Sequence, residues 1–244
     1  MELTNLSQIS SPLPWHWREW EHLQEQFARG QLPHALLLVG EQYTGKSQLA
    51  LALSRLLLCE LSASGSHGDF RWVEPGDKSR VIKIEQIRDL VRFSYKTAGF
   101  GLRKVIVLAP ADRMNVNAFN ALLKSLEEPA KDTYLILVCH RMYGVPATIR
   151  SRCQILRLAT PHTDACLEWL DITTGNRKQS QRLFTLANEL PLLAQQLHYT
   201  GESEKFAARC LGLRAVLDGE MSVLNAVALW SEEDVGTFLE QLVV

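Results

Sequence analysis

From Trp15 to Arg29, the residues Trp17, Trp20, Leu23 and Phe27 recur at helical spacing among charged positions, and Gly30 follows as a stop. This pattern predicts an N-terminal amphipathic helix. Ala35–Val39 is instead an unbroken apolar run of strand length, and it leads into GEQYTGKS at 40–47. The next segment, LALALSRLLLC, carries a helical pattern to near Cys59. Residues 61–69 are rich in Ser and Gly and predict a loop, followed by a strand at Phe70–Glu74 and a second loop at Pro75–Ser79. A helix is expected from Lys83 to about Thr97, a strand at Lys104–Leu108, and a helix from Asn115 to Glu128 that Pro129 stops. Strands at Tyr134–Cys139 and Gln154–Leu158 complete this part. Strands alternating with helices predict an α/β fold: a parallel sheet covered on both faces.

After Pro161 the strand signals vanish. Helical patterns follow at Thr163–Asp171, Gln179–Leu190, Leu192–His198, Glu202–Leu217 and from Ser222 to the end. The change marks a boundary near residue 160, and a weaker one lies near Gly201. Three domains are therefore expected: a nucleotide-binding-fold domain at 1–160, a small helical domain at 161–200, and the start of an all-α domain at 201–244. The last of these ends on Leu239, Leu242, Val243 and Val244 without polar punctuation, which suggests that further helices belong to it.

With 244 residues, 46% hydrophobic and 22% charged, the chain can bury real cores. A formal net charge of -1 gives no general attraction to phosphate backbones, so a stand-alone DNA binder is disfavoured. No apolar run approaches the roughly 20 residues of a membrane span, and the polar residues after Met1 do not resemble a signal segment. A cytoplasmic protein without membrane contact is expected. The five cysteines are widely spaced and contain no CxxC pair, which predicts reduced thiols, no disulfide and no metal site.

Gly40, Gly45, Lys46 and Ser47 satisfy G-x-x-x-x-G-K-[ST] between a predicted strand and a predicted helix. Backbone N–H groups and the helix N-terminus would face phosphates, Lys46 would reach the outer phosphates and Ser47 would help to hold Mg²⁺. A simple glycine turn before a core helix is the plainer alternative. Hydrolysis also needs an acid at the end of a neighbouring strand, yet KVIVLAPAD places Ala109 and Pro110 there. Asp112 lies beyond the strand end, as an exposed or helix-leading residue or as a displaced metal anchor. Phe119, Leu122, Leu123 and Leu126 read as a core stripe. Glu127 and Glu128 fall at a helix C-terminus, where negative charge is unfavourable, so a partner cation, Lys124 or an interface would have to offset them. His67 and Asp69 read as turn residues. Trp15, Trp17 and Trp20 suit packing or an interface better than base stacking.

NALLKSLEEP at Asn120–Pro129, together with SRC at Ser151–Cys153, resembles the paired signature of the bacterial clamp-loader family of AAA+ proteins. PHALLLVG, ALSRLLLC and the His67–Phe70 turn are similar to its delta-prime branch. The resemblance covers about residues 15–200. It implies a five-stranded AAA+ module, a helical lid and a C-terminal collar domain in an oligomeric arc. It further implies gamma/tau-type and delta-type partner subunits, with a sliding clamp and primed DNA reached through them. By this resemblance Arg152 would be an arginine finger directed at ATP on the next subunit; a structural ion-pair arginine is the alternative. Ala109 with Pro110, Cys139 with His140, and Pro191 fall where the ATP-hydrolysing gamma/tau type carries catalytic elements. The implied subunit donates Arg152 outward and hydrolyses ATP weakly or not at all; ATP or ADP binding stays open. A four-cysteine zinc module is not expected, because the stretch Glu60–His67 is short and holds no cysteine. A self-contained ATPase using Asp112 or Glu128, and an adaptor that binds no nucleotide, are the competing functions.

Overall fold

A computed structural model describes residues 12–58, 67–76, 79–99, 102–159 and 161–227. The second half of the C-terminal segment and Cys59 lie outside these. The described chain forms two compact units: one holds the N-terminal part and residues 45–160, the other holds residues 42–44 and those from Pro161 onward.

The first unit is a parallel sheet of five strands in the order β2-β3-β4-β1-β5, with β1 Ala35–Val39, β2 Phe70–Val73, β3 Lys104–Leu108, β4 Thr133–Cys139 and β5 Gln154–Arg157. Because side chains alternate across a strand, each run feeds two cores. Leu36, Leu38, Val105, Val107, Ile136 and Val138 face one layer, shared with helices α1 (Trp17–Ala28) and α2 (Lys46–Leu58). Leu37, Ile106, Leu108, Leu135 and Leu137 face the other, shared with α3 (Ile84–Tyr95) and α4 (Val116–Glu127). The helix stripe Phe119, Leu122 and Leu126 is buried in that second layer, and Asn115 caps α4 by accepting from the Ala118 N–H at 2.8 Å.

The strands and long helices lie where the hydrophobic pattern predicts them, with ends displaced by a few residues. The N-terminal helix is the clearest case: Pro14–His16 form a 3-10 turn and α1 begins only at Trp17. Three short pieces have no apolar period and escape the sequence reading: 3-10 turns at Ala111–Arg113 and Met142–Gly144, and α5 at Ala147–Arg150. The edge between α3 and β3 is tied by Lys104, whose Nζ donates to the carbonyls of Phe93, Ser94 and Lys96 at the end of α3. A helix end leaves carbonyls without intrahelical partners, and Lys104 supplies donors to this one, sharing Phe93 O with the Lys96 N–H. Asp69 supports the same edge, its Oδ1 accepting from the Gly99 N–H at 2.8 Å.

The second unit contains α6 Thr163–Thr174, α7 Arg177–Leu186, α8 Pro191–Thr200, α9 Ser203–Leu217 and α10 Val223–Val227. Cys166, Leu170, Leu183, Phe184, Leu193 and Leu197 are buried there. Asn176 caps α7, accepting from the N–H groups of Lys178 and Gln179. The four described cysteines are free thiols. Among the described residues no helix is long and apolar enough to cross a membrane.

Candidate functional site

All five strands run in parallel, so the first unit has two chemically different edges, and the signature residues divide between them. Gly40, Gly45, Lys46 and Ser47 follow the C-terminal end of β1, the edge at which parallel α/β sheets bind ligands. Gly40 donates to the Cys139 carbonyl at the end of β4, 3.3 Å away. A side chain on Gly40 would come within 3.0 Å of the Leu158 carbonyl, so its glycine is required by close approach of the neighbouring chain. Gly45 has φ +101, a conformation that suits glycine. A Cβ there would also sit 2.3 Å from Leu13 Cδ1 and 3.4 Å from His16 Cε1. Ser47 is half-buried in the first turn of α2.

Lys46 is 3% exposed, and its ammonium donates to the carbonyl of Glu41 within its own loop. Burial pulls its pKa down to about 8, against the raising influence of Asp112, Cys139 and Glu41. His16 is 1% exposed, and neither ring nitrogen has a hydrogen-bond partner. His140, after β4, likewise has a buried Nδ1 without one. Burial, followed by the positive charge of Lys46, lowers each imidazole to about 4.

The end of β3 carries no acid. Ala109 is buried and donates to Val73 O at 3.0 Å, and its peptide bond to Pro110 is cis. Asp112 is half-buried in the 3-10 turn, which corrects the expectation of an exposed or helix-leading residue. Its Oδ1 accepts from the His140 N–H at 2.9 Å, so the carboxylate pins the β4 exit loop to the β3 exit turn. The Cys139 thiol is pushed up to about 12 by burial and by Asp112, and stays protonated.

Phosphate loop, helix N-terminus and lysine are therefore the right residue types for ATP or ADP with Mg²⁺, but their arrangement does not fit it. Leu13 lies against Gly45, Lys46 is turned to its own loop, and β3 ends without a carboxylate, the nearby Asp112 being held by the His140 N–H at the β4 exit.

The two histidines give this edge an acid-sensitive stability. Their folded pKa values lie below the ordinary 6.5, so the unfolded chain binds protons that the fold excludes. The histidines' contribution is fully present above pH 6.5 and is lost as pH drops from 6.5 towards 4, with His16 accounting for about 3 kcal/mol. Urea unfolding of wild type and His16→Gln across this window checks it: the variant's slope should be shallower by one proton. Identical slopes would show that His16 is not excluded from protonation.

Arg152 occupies the opposite edge, two residues before β5. Its guanidinium is paired with Glu127 at 2.6 Å and donates to the Thr148 carbonyl at 2.7 Å. Glu127 ends α4, so the cation expected to offset a carboxylate there is Arg152 itself, and not Lys124. His34, before β1, donates from Nε2 to Leu126 O at 3.1 Å and secures the same helix end. NALLKSLEEP and SRC are thus one physical unit joined by an ion pair. β1 and β5 pair with Leu36 opposite Gln154. Six residues of strand rise then separate the level of Arg152 from Gly40, about 20 Å along the sheet, farther than an arginine side chain extends. Arg152 cannot serve the phosphate loop of its own chain.

A family model for "DNA polymerase III, delta subunit" matches residues 15–162. DNA polymerase III subunit delta' of Pseudomonas aeruginosa is 37% identical over 235 residues, which cover 89% of this chain and 71% of that protein. The chain belongs to the DNA polymerase III delta' family. The Yersinia pestis delta' subunit is 32% identical over 94% of the chain and 73% of its own length. A solved gamma subunit-related protein of DNA polymerase III from Thermotoga maritima superposes with a TM-score of 0.55 at 17% identity, covering 92% of each chain. The Thermotoga maritima RuvB Holliday junction branch migration motor does so with 0.55 at 14% identity, over 91% of this chain and 72% of the motor. These two likenesses establish the AAA+ fold. As a delta' chain it is a clamp-loader subunit.

The sequence missed His16 and Glu127 as members of these two edges. His16 falls outside the apolar stripe of α1, and nothing in its spacing marks it. Glu127 had a signal, a carboxylate at a helix C-terminus in need of a cation, but only the fold supplies the partner.

Proposed function

We propose that this delta' chain works in the cytoplasm as a non-hydrolysing member of the clamp loader. It joins gamma/tau-type ATPase subunits and a delta-type subunit, and through them helps to load the sliding clamp on primed DNA. Its contribution to the chemistry is Arg152, offered to ATP bound by the neighbouring subunit. A guanidinium fork there offsets the charge that develops on the transferred phosphoryl group. The observation that carries this reading is the division of the sheet's edges: Arg152 stands about 20 Å from its own phosphate loop, and β3, separated from β1 by β4, is followed by Ala109 and Pro110, where a hydrolysing chain needs an acid.

A self-contained ATPase is not supported. Asp112 is engaged by the His140 N–H, and Glu128 caps α4 at the edge away from the phosphate loop. Steady-state ATP hydrolysis by the isolated chain, by the gamma/tau-type partners and by their mixture tests the proposal. The chain alone should be silent, and the mixture should exceed the partners alone. Turnover by the isolated chain, or failure to form a stable complex, would reject it.

A further inference from the structure

The intact phosphate-loop sequence and the arrangement of its residues disagree, and the disagreement has a definite source in the segment before α1. Leu13 and His16 are carried to the loop by the 3-10 turn Pro14–His16, which closes through the His16 N–H donating to Leu13 O at 2.9 Å. Leu13 Cδ1 would be 2.3 Å from a Cβ on Gly45, so the leucine methyl packs directly on the Cα of a glycine in the loop that would cradle a phosphate. His16 closes the site from the same side, 1% exposed and with both ring nitrogens unpartnered. An imidazole left in that condition is costly unless something else holds it there. Lys46, the residue that should meet the outer phosphates, is 3% exposed and donates to Glu41 O. A charged triphosphate would have to displace a leucine, turn a lysine and solvate an imidazole.

We propose that Leu13 and His16 form a built-in plug of the phosphate loop, so that nucleoside di- or triphosphate enters only when the segment before α1 is lifted away. The plug concerns nucleotide entry and is independent of Arg152, which lies at the other edge of the sheet. Binding from a minor open state lowers the apparent affinity by the fraction that is open. Removing the leucine side chain raises that fraction without touching the loop.

The test is equilibrium binding of ATP–Mg²⁺ and of ADP to the full chain as wild type, Leu13→Ala, Lys46→Ala and the double variant, followed by calorimetry. Leu13→Ala should bind at least about tenfold more tightly than wild type, and the added affinity should disappear in the double variant. Amide hydrogen exchange over residues 41–47 supplies a second readout. It should rise in Leu13→Ala without nucleotide and fall again when nucleotide is added, which also shows that the variant is folded. Wild type binding as tightly as Leu13→Ala would overturn the proposal. So would a folded Leu13→Ala that exchanges like wild type or binds no nucleotide, because the obstruction would then lie in the loop itself. Either failure leaves the trans role of Arg152 untouched, since that role is read from the partners' turnover.

Discussion

Arg152→Ala should leave the chain folded and able to assemble, yet lower turnover at the partner site it faces by about 10³-fold or more. The separation of the two effects follows from the geometry. Arg152 and Glu127 are both substantially solvent-exposed, with side chains 34% and 49% accessible. An ion pair of that kind contributes only about 0–1 kcal/mol, so thermal unfolding should shift little. The loss in turnover should appear in kcat and not in assembly. It is best read with the other ATP sites of the complex silenced, so that one interface reports alone. Arg152→Lys should fail to restore the rate, because a point charge does not reproduce the planar fork. An unchanged rate at that site would return Arg152 to the plain role of neutralising the end of α4.

The second large effect is expected in the sheet. Leu37→Ala should destabilise the first unit by about 2–5 kcal/mol. Leu37 is 0% exposed at the centre of β1, where it faces the layer formed with α3 and α4. β1 is hydrogen-bonded on both sides, to β4 and β5, so the backbone has little freedom to collapse into the space left by the leucine. Denaturant unfolding measures the loss. A change below about 1 kcal/mol, the range of a conservative Ile→Val trim, would mean that the two layers repack more freely than this arrangement implies.

Much of the fold was legible because its physics is periodic. Three short apolar runs, those of β1, β3 and β4, could hardly be anything but buried parallel strands once helices separated them, whereas the mixed segments of β2 and β5 form the half-exposed edges. The stripe Phe119, Leu122 and Leu126 could be placed in the core from spacing alone. The phosphate-loop residues were legible in order but not in state. A pattern of glycines and a lysine fixes where the loop comes, whereas the turn of Lys46 onto Glu41 O and the approach of Leu13 and His16 to the loop are not set by local spacing. Asp112 shows the same limit. Its place beyond the strand end followed from Pro110, but its acceptance of the His140 N–H depends on the neighbouring strand exit, 28 residues along the chain. The Glu127–Arg152 pair lay between: the need for a cation could be inferred from the helix end, and its identity required the register of β5 against β1.

The two unlike edges of the sheet also give the module a polarity. A head-to-tail row of such modules would place one subunit's arginine before the next subunit's loop, and would leave an unused edge at each end of the row. In such a row, with Arg152 in its proposed role, this chain would serve as a donor, while at its acceptor end its own loop would be closed by the proposed plug and lacks an acid at the end of β3. A neighbour placed beyond that acceptor end would have nothing to act on, and the chain therefore suits the terminal position of the row.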